Sequence, residues 1–162
     1  MKTSAILLVL TLYLLPSNSP QGKDTYLPNH SLTPGDTVRV SRVDLCSPDY
    51  KSPATNIPIA LKVQVFDAYG VSPNALGFNV DHLIPVGLGG SNSLKNLWPQ
   101  PLAGEWNYHM KNDLEEKLQK LVCSGQLDLE TAQREIAADW VGAYQKYMKR
   151  RHKGGTPSPN DL

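Results

Sequence analysis

The stretch that most narrows what this chain can fold into is FNVDHLIPVGLGGSNSLKNLWPQP, Phe78 to Pro101. Phe78, Val80, His82 and Ile84 alternate with Asn79, Asp81 and Leu83 up to Pro85, and a period of two is the mark of a short strand. Gly87, Gly89, Gly90 and Asn92 then supply turn chemistry. Asn96, Leu97 and Trp98 open a second short strand, which Pro99 and Pro101 are expected to stop. The segment reads as a hairpin with an Asp-His pair at the end of its first strand.

Around it the period changes to that of helices. From Pro58, Leu61, Val65 and Tyr69 recur at four-residue spacing, and Gly70 stands where a left-handed cap is wanted. Trp106, Met110, Leu114, Leu118 and Val122 form a longer stripe, closed by Cys123 to Gly125. Ala132, Ile136, Trp140 and Tyr144 form another, with Asp128 as N-cap and an end near Tyr147. These aromatic stripes read as core. The expected fold class is therefore α+β, a hairpin-plus-helix core with one helix before and one after.

At 162 residues the chain is one domain with a removable segment at its start. Lys2 followed by the uncharged run Ala5 to Leu15 reads as an export signal over 1–19, because eleven apolar residues are too few for the roughly 20 a bilayer needs. Residues 20–45 carry Pro20, Pro28 and Pro34 without periodicity and read as an extended leader. The domain is expected over 46–150, with a disordered tail over 151–162. An exported chain, secreted or periplasmic, works in an oxidising place, where the even pair Cys46 and Cys123 favours a disulfide over two unrelated buried thiols. The formal net charge of +1 advertises neither nucleic acid nor membrane, so any polyanion site must be local.

Packing the hairpin across the start of the Trp106 helix sets Asp81 and His82 opposite Asn107, His109 and Lys111. Those are the residue types that phosphodiester hydrolysis requires. Histidine is the natural base for a water deprotonated near neutral pH. A hard divalent ion held by carboxylate and amide oxygens can stabilise the phosphoryl charge and the leaving alkoxide. Adjacent strand residues point to opposite faces, so Asp81 and His82 can share one substrate only where the strand ends or bulges.

Asp81-His82, Asn96 fourteen residues later, and the helix carrying Asn107-Tyr108-His109 resemble the HNH motif of the ββα-metal endonucleases. The words DHLIPVGLGGSNSLKNLWPQP, KNDLEEKL, LVCSGQL and AQREIAADW, with LTPGDTV and DLCSPDY upstream, resemble the small exported HNH-type proteins of bacteria. The likeness runs from about Leu32 to Tyr147. It implies a ββα-metal core and a metal-dependent endonuclease acting on DNA or RNA, with DNA the first expectation. His82 then becomes the general base, Asp81 a metal ligand, and Asn96 a clamp that bonds backbone across the loop and holds the base in place. The second ligand falls to Asn107 or His109. The expected ion is Mg2+ or Mn2+, with Zn2+ or Ni2+ behind them.

Some readings stay open on the sequence. Lys111 is either a phosphate contact or a plain surface lysine. The basic run Lys146 to Lys153 either adds nonspecific affinity for a nucleic-acid backbone or suits a helix end. An HNH scaffold without catalysis, binding nucleic acid or a protein partner, is the rival to an enzyme. In each case the mature chain is expected to be a monomer with no membrane contact.

Overall fold

The structure is a computed structural model, and it describes residues 27–148. The expected signal segment and the tail over 151–162 lie outside the described residues. Within them the chain is α+β: helix α1 (Arg42–Leu45), helix α2 (Ile59–Ala68), strand β1 (Phe78–His82), strand β2 (Leu97–Pro101), helix α3 (Tyr108–Cys123) and helix α4 (Leu129–Met148). A single 3-10 turn, Val86–Leu88, lies in the loop between the strands. The strands form a two-stranded antiparallel sheet that pairs Asp81 with Trp98 and His82 with Leu97.

Pro99 and Pro101 do not stop the second strand; they lie inside it, opposite Val80 and Phe78. The ladder explains why. Leu83 N donates to Asn96 O at 2.7 Å, and Leu102 N donates to Gly77 O at 2.8 Å. Hydrogen-bonded pairs alternate along an antiparallel ladder, so both prolines fall at non-bonded pairs, where their missing N–H would have faced outward.

Each face of the hairpin is covered by helix. Val80 and Leu97 share one face and are buried against Val65 and Phe66 of α2. Trp98 lies on the other face, in a larger core with Leu114, Leu118 and Val122 of α3 and Ala132, Ile136 and Trp140 of α4. Leu83, Ile84 and Leu88 from the loop join that core.

The helix boundaries follow from local capping. Asn107 caps α3, its Oδ1 accepting from His109 N at 3.0 Å and Met110 N at 3.4 Å. Trp106 therefore precedes the helix, packing edge-to-face on Trp140 and Tyr144 of α4 with ring centroids 5.8 and 5.9 Å away. The last helix starts as expected at Asp128, which accepts from Thr131 N at 2.9 Å. It is interrupted at Asp139, whose backbone is extended (φ −163°, ψ 89°) and whose Oδ1 accepts from Gly142 N at 2.9 Å. Asp139 is thus the N-cap of a restarted helix, a local bond that competes with the helical one. A β-carbon at Gly142 would lie 2.4 Å from the Asp139 carboxylate, so glycine is what leaves room for this cap.

The segment expected as an extended leader belongs to the domain from Leu27 onward. Thr33 is fully buried and its hydroxyl donates to Leu97 O at 3.0 Å. Gly35 N donates to Lys95 O at 2.8 Å, Thr37 bridges to Gly90, and Leu45 is core. Cys46 follows α1 and is bonded to Cys123 at the end of α3, with Cα atoms 5.5 Å apart. The bridge closes a separation of 77 residues. Replacing both cysteines by serine should lower the unfolding free energy by about 4 kcal/mol, since the open chain regains loop entropy. Urea titration of the oxidised parent and the double variant measures it, and equal midpoints would contradict the expectation.

Candidate functional site

The loop between the strands is held by one amide. Asn96 is fully buried; its Oδ1 accepts from Ile84 N at 2.9 Å, and its Nδ2 donates to Ile84 O and Ser91 O, both at 3.0 Å. A single side chain thereby joins the two ends of the loop, satisfying backbone groups that have no ladder partner. The loop is drawn so tight that a β-carbon at Gly90 would lie 1.8 Å from Ile84 O. No residue but glycine fits there.

This loop forms one wall of a groove of about 330 Å³ whose other wall is α3. Asp81, His82 and Gly87 line it from the hairpin, and Asn112, Glu115 and Gln119 line it from the helix. By register Asp81 is on the face of Trp98 and His82 on the face of Leu97. Both reach the groove because β1 ends at His82. The end of the strand is what lets neighbours of opposite facing share one cleft.

His82 is 7% exposed and its Nε2 lies 2.8 Å from Asn92 Oδ1. Burial holds its pKa below the ordinary 6.5, against the opposing pull of the Asn92 bond and the Asp81 charge. The ring is therefore neutral near pH 7.

Lys111 is 0% exposed, and its ammonium uses three acceptors: Asp81 Oδ2 at 2.9 Å, His82 O at 2.6 Å and a Glu115 carboxylate oxygen. Burial alone would lower its pKa, but the two carboxylates outweigh burial and raise it, so the group stays charged. Glu115 is pushed up by burial, with Lys111 pulling the other way. The triad ties the end of β1 to α3. Asp81 and Glu115 each keep one oxygen that Lys111 does not engage. Asp81, Glu115 and Asn112 bring carboxylate and amide oxygens to the lining of one groove, the donor types that suit Mg2+ or Mn2+. Among the described residues, no three His, Cys, Asp or Glu side chains form a ligand cluster.

The expected helix ligands are placed elsewhere. Asn107 uses its oxygen on the α3 cap and its Nδ2 on Gly104 O at 2.9 Å. His109 is exposed, with its ring 3.8 Å from that of Tyr108 and nearly opposite Lys111 around the helix. Lys111, read from sequence as a phosphate contact or a surface lysine, is neither accessible nor at the surface. Sequence reasoning missed Glu115, Asn112 and Asn92. The signal for Glu115 was present: Lys111 and Glu115 flank Leu114, so they border the buried stripe four residues apart.

No family model, curated protein or solved structure matches this chain. Among the described residues, no helix is long and apolar enough to cross a membrane.

Two measurements bear on this arrangement. Lys111→Met leaves the Asp81 and Glu115 carboxylates facing each other without a cation, and should cost about 3–5 kcal/mol of stability by urea unfolding. A loss under about 1 kcal/mol would contradict the buried triad. Because burial lowers the folded pKa of His82 below the ordinary 6.5, its contribution to stability is full above 6.5 and is lost as pH falls from 6.5 towards the lower folded value. Between about pH 7.5 and about pH 5 the parent should therefore lose more stability than His82→Gln. Parallel slopes for the two proteins would refute the shift.

Proposed function

We propose that the protein is a metal-dependent endonuclease of HNH type, hydrolysing phosphodiester bonds of nucleic acid outside the cytosol. The observation that carries the reading is His82, kept neutral by burial in the same groove as the Asp81 and Glu115 carboxylates. An uncharged imidazole can accept a proton from an attacking water at physiological pH, which a protonated one cannot. The disulfide supports work in an oxidising compartment.

In this reading His82 removes the proton from the water that attacks phosphorus. Asp81 and Glu115, with the Asn112 amide, would hold the divalent ion. When bound, that ion supplies positive charge for the phosphoryl oxygens and the leaving alkoxide. Lys111 keeps the two carboxylates together against their repulsion. Asn96 keeps the loop closed, so that His82 stays at the rim of the groove. The oxygen donors favour Mg2+ or Mn2+ over Zn2+ or Ni2+. DNA is the first substrate to test, with RNA beside it.

Supercoiled plasmid and a structured RNA, each incubated with the oxidised protein and Mg2+ or Mn2+, should be cut, and chelator should stop the reaction. His82→Ala should lower the rate by at least about 100-fold while its thermal transition stays within a few degrees of the parent's. Retardation of nucleic acid without cutting in either ion would replace this reading with a binding module. Full activity in His82→Ala would remove the proposed base.

A further inference from the structure

His82 has two ring nitrogens, and which of them carries the proton decides what the ring can do. The Nε2 atom is 2.8 Å from Asn92 Oδ1, while Asn92 Nδ2 is 2.7 Å from the backbone oxygen of Asn56. The second contact orients the first. A carbonyl can only accept, so the amide must turn its NH2 group to Asn56, which leaves its oxygen facing His82. An amide oxygen also can only accept, so Nε2 must donate. The neutral ring is thereby held with its proton on Nε2 and its lone pair on Nδ1. Among the described residues, Nδ1 has no hydrogen-bond partner.

We infer that Asn92 is a positioning residue: it fixes His82 in the Nε2–H form and so leaves Nδ1 as the atom that takes a proton. The chain of constraint runs from the Asn56 carbonyl, in the loop before α2, through the Asn92 amide to the imidazole. It thus reaches the site from the side opposite Lys111, which holds the same residue by its backbone oxygen. His82 is fixed in place by one partner and in tautomer by the other. The consequence for cleavage rests on the endonuclease reading, whereas the tautomer itself does not.

The first test uses the unaltered protein. Nitrogen-15 NMR of the side chains, at a pH well above 6.5, reads which nitrogen of each of the four histidines is protonated, and His82→Gln identifies the signal. The expected result is a single Nε2–H form; a dominant Nδ1–H form or an even mixture would overturn the inference. Asn92→Leu should give that mixture and reduce kcat about 10- to 100-fold, with KM within about twofold of the parent. Asn92→Asp, which keeps an acceptor towards Nε2, should restore the Nε2–H form. Parent-like tautomer and kcat in Asn92→Leu would also overturn it. Absence of cleavage in the parent would remove the endonuclease reading and leave the NMR result to decide the tautomer alone.

Discussion

A lysine sealed under a two-stranded hairpin is an expensive thing for a small domain to fold around, and much of this structure is arranged to make it tolerable. Lys111 has three donors and three acceptors, two of them charged and one the backbone oxygen that ends β1. A buried ion pair contributes little net stability over an apolar core, but its loss leaves charges stranded. What such a contact can impose is uniqueness. The helix cannot slide or rotate against the strand without separating the Lys111 ammonium from the Asp81 carboxylate and the His82 backbone oxygen, so the groove between them keeps one shape.

The hairpin loop answers the same need from the other side. Lys111 ties the helical wall of the groove to the strand, while Asn96 closes the loop that makes the other wall. Neither device is apolar, and both lie where a core made only of Leu and Val would have allowed several packings. The apolar clusters on the two faces of the sheet provide cohesion. The polar contacts choose among the ways of cohering.

How far the sequence revealed this depended on what each signal measures. Period-two and period-four patterns report burial, and they located the hairpin and the three longer helices, because burial is what made the elements. The pairing of Cys46 with Cys123 followed from there being two cysteines in a chain read as exported. Boundaries were harder, since they rest on single hydrogen bonds. Asn107 as a cap moved Trp106 off the helix, and Asp139 broke a stripe that apolar spacing alone reads as continuous. The site was half legible. Asp81, His82 and Asn96 are close in sequence, so turn chemistry and alternation already group them. The α3 side depends on helical phase, where a displacement of one or two residues exchanges an exposed His109 for a buried Lys111. Charge type misled there too, because lysine is ordinarily a surface residue and its burial required two carboxylates, one of them distant in sequence.

The prolines of β2 have an effect beyond the ladder they occupy. A hairpin of two strands has two open margins, and an open margin is a template on which a second chain can lay a strand. Along the outward margin of β2 the inviting groups are few: Pro99 and Pro101 have no N–H to offer, and the Leu97 carbonyl already accepts the Thr33 hydroxyl. A foreign strand would find too few partners to zip along it. The residues that read as strand breakers thus act as a guard against edge-to-edge association, letting so small a sheet stand at two strands without recruiting a third.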